Sequence, residues 1–157
     1  MAETNHNHEF HLLLIEKVLL LKSLEIFEET PETILAEVAE ILEEQVYEKG
    51  VSIFKEGDVG QCLYVLFKGE VRIHKEGHTL AVLKDNAVFG ELALLDVDTR
   101  SASATANTEA LVLKIDQEPF YEIMENRIEV ARGIIKILCR RLRAQNLKTV
   151  EQSKHQS

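Results

Sequence analysis

From Val46 the apolar period of this chain changes to two. Val51 and Ile53, then Val71 and Ile73, alternate with polar neighbours, and Gly50, Gly57, Gly60, Gly69 and Gly77 cut the stretch into short pieces. A period of two places one set of side chains on one face of a strand, and glycines at this spacing supply the turns between strands. The pattern predicts a β-sandwich or barrel. With 157 residues the chain can bury an ordinary core without staples, so one domain with helical extensions suffices.

Helical spacing brackets the strands. Leu12-Leu13-Leu14-Ile15 and Val18-Leu19-Leu20-Leu21 flank Glu16-Lys17 in a very apolar segment, too short and too interrupted to cross a bilayer. This helix must bury itself, either on the domain's own barrel and C-terminal helix or on a partner or second copy. Thr30 is expected to cap a second helix with Pro31 at its first position, and Ile34, Leu35, Val38, Ala39, Ile41 and Leu42 continue it. Asp116 is expected to cap a further helix that tolerates Pro119 in its first turn. In the last helix Ile128, Ala131, Ile135, Leu138 and Leu142 form a narrow stripe suited to one groove or one partner helix. Packing back on the domain is the simpler expectation for that stripe.

The net charge is -9 and unevenly placed. Glu25, Glu28, Glu29, Glu32, Glu37, Glu40, Glu43 and Glu44 crowd the first part, whereas Arg132, Lys136, Arg140, Arg141 and Arg143 make the last helix basic. An acidic chain is a poor nucleic-acid ligand, so the basic helix reads as a solvated face or as the complement of an acidic helix at residues 32–44. Cys62 and Cys139 fall in apolar runs, which predicts buried reduced thiols and a cytoplasmic setting. The polar stretch Met1 to His11 lacks the features of a secretory signal.

Between the later strands lies Phe89-Gly90-Glu91-Leu92-Ala93-Leu94-Leu95, followed after an acidic loop by Arg100-Ser101-Ala102-Ser103-Ala104-Thr105-Ala106. A glycine lets backbone amides approach a ligand, a carboxylate follows at once, and a single arginine returns nine residues later. A guanidinium holds two phosphate oxygens together, whereas Glu91 repels phosphate and must accept from a hydroxyl. These groups suit a cyclic nucleotide, with Arg100 on the cyclic phosphate and Glu91 on the ribose 2'-hydroxyl.

At these residues the sequence resembles the cyclic nucleotide-binding domain family, of the cyclic AMP receptor protein and protein kinase A regulatory subunit type. The family's cassette reads roughly F-G-E-L-A-L, a short loop, then P-R-S/A/T-A-T. Upstream, Tyr47 to Asp58 and Leu63 to Ile73 match its opening strands and next hairpin, and the likeness runs from about Leu24 to Leu142. Thr99 departs from it by standing in the place of the usual proline. Lys84-Asp85-Asn86-Ala87 replaces a glycine-bearing turn, although Asn86 can itself take a left-handed conformation.

The resemblance implies a mainly β fold with flanking helices: an eight-stranded jelly-roll β-barrel with N-terminal helices, a short phosphate-cassette helix and C-terminal helices. It divides the chain into an N-terminal helical segment (1–43), the barrel (44–116, cassette 89–106), lid or hinge helices (117–148) and a disordered tail (149–157). Gly90, Glu91, Leu92, Ala93, Arg100, Ser101 and Ala102 are then expected around the sugar and phosphate, and Ile73 and Leu80 beside the base. A cassette helix starting at Gly90 would turn its amides toward the phosphate. Serine after the arginine leaves the purine open, with cyclic AMP favoured over cyclic GMP.

The implied protein is a bacterial stand-alone or C-terminal regulatory module, not an enzyme and without a cofactor. It senses the nucleotide and relays occupancy through its last helices to an effector protein or domain. It would bind no nucleic acid, insert in no membrane, and have the option of a homodimer through its terminal helices. The competing reading is a nucleotide-independent interaction module of the same fold. A metal enzyme built on His74 and His78 would need more inward ligands, and neither a nucleophile with an evident base nor a P-loop occurs.

Overall fold

In the computed structural model, which describes residues 12–90, 92–96 and 98–156, eight strands pair into two four-stranded antiparallel sheets. One sheet runs β1 (Glu43–Tyr47), β10 (Ala110–Asp116), β4 (Cys62–Lys68), β7 (Val88–Phe89). The other runs β2 (Ser52–Phe54), β9 (Ser103–Ala106), β5 (Val71–Lys75), β6 (His78–Leu83). A separate two-residue ribbon pairs β3 (Val59–Gly60) with β8 (Asp98–Thr99).

Alternation along β4 explains the two-sided core. Tyr64 and Leu66 point between the sheets, where they meet Phe89, Val112, Val71, Ala104 and Ala106. Leu63 and Val65 point outward with Leu113 and Ile115, and there they meet a layer of helices. A strand covered on both faces is apolar almost throughout, as Cys62–Lys68 is. The turns follow their residues: Glu76 and Gly77 take φ of 51° and 80° at the β5–β6 tip, and Asn86 takes 65°. Asn86 N also donates to Leu66 O at 2.7 Å, which docks the turn on β4.

The helical layer is α1 (Leu14–Ser23), a 3-10 turn at Glu25–Phe27, α2 (Glu32–Glu40), α4 (Gln117–Asn126) and α5 (Ile128–His155), while α3 (Leu92–Leu95) sits in the cassette. Leu21, Phe27, Leu35, Val38, Phe120, Val130 and Ile134 fill the space against the sheet. In α1, Leu20 and Leu21 are buried, whereas Leu13, Leu14, Ile15 and Leu19 remain exposed. The helix therefore packs by one edge, chiefly on α2. Lys17 and the Leu12 amide also hold Glu44, at 3.2 and 2.9 Å.

Several expectations are corrected. Thr30 does not cap α2: its buried hydroxyl has no hydrogen-bond partner among the described residues, and Pro31 is the cap, its carbonyl accepting from Ile34 and Leu35. The helix stops at Glu40 because pairing with β10 takes over at Glu43, opposite Lys114. Asp116 caps α4 only by its backbone and turns its carboxylate to Lys114 at 3.4 Å. Helix α5 continues to His155 through the expected tail. No glycine or proline follows Gly133 to stop it, and Thr149 and Ser153 hydroxyls bond back to the carbonyls one turn earlier.

The stripe on α5 is not the face that packs on the domain. Ile128, Ile135, Leu138 and Leu142 are exposed, while Val130, Gly133, Ile134 and Ile137 are buried. Gly133 lets α5 come close to the 3-10 turn, since a Cβ there would lie 3.2 Å from the Glu29 Cβ. The basic side chains complement residues 25–29 more than α2: Arg141 pairs with Glu25, Arg140 with Glu28 and Glu29, and Lys136 with Glu29. Arg127, at the start of α5, reaches α2 at Glu37. Both cysteines are free, but neither is fully buried: Cys62 is half-buried and Cys139 exposed on α5.

Candidate functional site

Arg100 enters the domain behind a clamp of backbone bonds. Its N–H donates to Asp58 O at 2.7 Å and its carbonyl accepts from Gly57 N at 2.9 Å. Asp58 closes that turn by accepting from the Lys55 amide, and Gly57 supplies a φ of 89°. With its backbone fixed on Gly57 and Asp58, the side chain is only 8% exposed.

The guanidinium lies 4.4 Å from the centroid of Phe54 and 5.7 Å from that of Tyr64. Nη2 donates to Cys62 O at 2.9 Å and touches its Sγ at 3.6 Å, and Nη1 donates to Gly90 O at 3.3 Å. These acceptors are neutral. Among the described residues no carboxylate forms an ion pair with Arg100, and its hydrogen bonds to Gly90 and Cys62 leave part of its five-donor capacity for a further acceptor. Such a group attracts an anion, above all one with two oxygens to offer.

The aromatic floor is continuous. Tyr64 stacks on Phe89 at 5.1 Å, and Phe54 lies 5.7 and 6.0 Å from them. Burial raises the Tyr64 phenol above its ordinary range, the adjacent Cys62 thiol adds to this, and Arg100 opposes it.

The other expected residues fall as follows. Gly90 has a φ of 70° and faces the guanidinium, so a Cβ there would collide with Nη1 of Arg100. Leu92 opens α3, and Ala93 is buried in it. Glu91 lies outside the described residues. Ser101 is exposed and Ala102 half-buried directly after Arg100. Ile73 packs against the core between the sheets, whereas Leu80 is 61% exposed at the bulge of β6. Gly90 thus meets Arg100 directly, whereas Leu80 lies on an exposed strand bulge.

Sequence reasoning missed two groups. Phe54, Cys62 and Tyr64 surround Arg100, and Gln117 and Tyr121 grip α3: Gln117 Nε2 donates to Ala93 O at 3.3 Å, and the Tyr121 hydroxyl donates to Leu95 O. Gly60 was legible as a glycine but only as a turn.

The profile of the cyclic nucleotide-binding domain family matches residues 44–127, more than half of the chain. This chain belongs to that family. The cyclic AMP receptor protein of Thermus thermophilus is 36% identical over 108 residues, covering 66% of this chain and 50% of that protein. The regulatory subunit of the cAMP-dependent protein kinase of Eremothecium gossypii is 35% identical over 114 residues, 72% of this chain and 24% of that one. The crystal structure of the N-terminal domain of a Streptomyces coelicolor A3(2) transcriptional regulator superposes with a TM-score of 0.79 at 30% identity, covering 83% of this chain and 94% of that one.

The chain therefore spans half or less of these two sequence relatives. It is a cyclic nucleotide-binding regulatory domain, in a family defined by ligand binding rather than catalysis. Among the described residues no helix is long and apolar enough to cross a membrane, and no three His, Cys, Asp or Glu side chains converge as a metal site.

Proposed function

We propose that this domain binds a 3',5'-cyclic nucleotide, cyclic AMP in preference to cyclic GMP, and relays occupancy through α4 and α5 to an effector in another domain or chain. The observation that carries the reading is the buried guanidinium of Arg100, which has only neutral acceptors among the described residues. Arg100 takes the cyclic phosphate with help from Ser101 and the Ala102 amide, Gly90, Leu92 and Ala93 form the wall, and Glu91 accepts from the ribose. Ile73 and Leu80 flank the base. The name of the Thermus thermophilus relative favours adenine. The same reading places the domain in the cytosol as a sensor that leaves its ligand unchanged.

Support for the relay is the grip of Gln117 and Tyr121 on α3, because a ligand moves an equilibrium only through an element that differs between its two states. The exposed stripe of α5 is the surface on which an effector or a second copy would read that movement. Calorimetric titration of nucleotide-stripped protein with cyclic AMP, cyclic GMP and AMP tests the proposal. Saturable binding of cyclic AMP that excludes AMP is expected. Silence toward both cyclic nucleotides would transfer the function to protein contact alone, and tighter binding of cyclic GMP would reverse the base preference.

A further inference from the structure

Accepting that Arg100 is the phosphate ligand, we propose that Phe54 and Gly60 are its positioning residues: the ring is the shelf on which the guanidinium lies, and the bare Cα is the space through which it passes. An arginine has a long flexible side chain, and a phosphate contact depends on the orientation of its planar fork. Here the fork is fixed by three separate elements. The Phe54 ring of β2 lies 4.4 Å below it, Cys62 O at the start of β4 takes Nη2, and Gly90 O at the edge of the cassette takes Nη1. The two carbonyls exist whatever the residue type; of the two aromatic side chains at the fork, the Phe54 ring at 4.4 Å is nearer than the Tyr64 ring at 5.7 Å. A cation over an aromatic face is held most strongly where water is excluded, as at this buried side chain.

Gly60 differs from the turn glycines Gly50, Gly57, Gly69 and Gly77, all of which have positive φ. Its own φ lies outside that region, so the backbone does not demand glycine there. Space does. A Cβ at Gly60 would come within 2.6 Å of both Cζ and Nε of Arg100, and 3.1 Å of the Ala93 Cβ. The movable atom in that clash is the end of the arginine side chain, so alanine at position 60 displaces the guanidinium while the strand pairing of Gly60 with Asp98 persists.

The test measures cyclic AMP affinity and melting temperature for Phe54→Leu, Phe54→Tyr and Gly60→Ala, alone and combined with Arg100→Ala. Phe54→Leu and Gly60→Ala should each weaken binding about tenfold or more, Phe54→Tyr should stay within about threefold of wild type, and none should deepen the defect of Arg100→Ala. Effects that add in full on the Arg100→Ala background, or wild-type affinity in both single variants, overturn the inference. If the wild type binds no cyclic nucleotide, or Arg100→Ala binds like wild type, the phosphate assignment fails instead. The positioning is then decided by NMR of the Arg100 Nε–Hε group, which should be shifted upfield by the ring in wild type and lose that shift in Phe54→Leu. An unchanged signal refutes it.

Discussion

Tyr121 donates its phenolic hydroxyl to the carbonyl of Leu95, which ties the first turns of α4 to the last residue of the cassette helix. Gln117 makes a parallel bond to Ala93 O one turn earlier, and α4 follows directly on β10. On the proposed relay, these two bonds would carry a shift of α3 to α4. Tyr121→Phe should lower stability by about 0.5–1.5 kcal/mol, the net worth of one hydrogen bond, and change nucleotide affinity less than tenfold. It should nevertheless abolish the effect of cyclic AMP on hydrogen exchange in Gln117–Asn126. Exchange that still responds to nucleotide in this variant would remove Tyr121 from the relay.

Arg100→Ala should weaken cyclic AMP binding by about thirtyfold or more, because truncating one partner of a buried, hydrogen-bonded charge pair costs roughly 2–5 kcal/mol. Arg100→Lys should not restore it, since a point charge lacks the fork that spans two phosphate oxygens. The rise in melting temperature that ligand gives the wild type should vanish in both variants. Retained affinity in a folded Arg100→Ala protein would sink the assignment.

Phe120 meets Phe27 edge-on, with ring centroids 5.9 Å apart and both side chains fully buried. This contact anchors α4 to the 3-10 turn behind the sheet, on the side away from Arg100. Phe120→Ala should cost about 3–5 kcal/mol in urea unfolding, the range for truncating a buried aromatic. A cost below about 1 kcal/mol would mean that the helical layer repacks freely.

How much of this was legible in the sequence depends on whether the signal was local. Asn86 and Gly77 were readable because turn chemistry is decided by the residues in the turn. Arg100 stood out by its place in the cassette, but its surroundings did not: Cys62 contributes mainly a carbonyl, which every residue has, and Phe54 reaches the site only through the pairing of β2 with β9. The helical stripe failed for a related reason. Helix α5 carries two apolar rows, one through Ile128, Ile135 and Leu142 and one through Val130, Ile134 and Ile137. Periodicity detects both rows, and the close approach of Glu29 to Gly133 marks the row that faces the domain.

The ion pairs of Arg140 with Glu28 and Glu29, and of Arg141 with Glu25, hold α5 at the 3-10 turn from partly exposed positions. Exposed pairs are weak and screened by salt. Arg140→Ala should therefore reduce stability by less than about 1 kcal/mol in dilute buffer, and the difference should shrink in about 1 M salt. A drop of several kcal/mol that is insensitive to salt would show that packing of the arginine stem, not its charge, holds the helix.

Tyr64 and Tyr47 both have phenols raised above the ordinary value of 10.0, in each case first by burial. The Cys62 thiol reinforces the shift at Tyr64 and Arg100 opposes it, while Lys114 opposes the shift at Tyr47. Below pH 10 both groups are protonated whether the chain is folded or not, so they add no pH dependence there. Above that value the unfolded chain releases phenolic protons that the folded chain retains. The unfolded state then binds fewer protons, and stability falls as pH rises. Chemical unfolding followed from neutrality to pH 11 should show this decline beginning near pH 10. Tyr64→Phe, which keeps the ring stacked on Phe89, should flatten part of it relative to wild type. Superimposable slopes for the two proteins above pH 10 would mean that Tyr64 ionises as readily folded as unfolded, and that the aromatic floor beneath Arg100 is open to water.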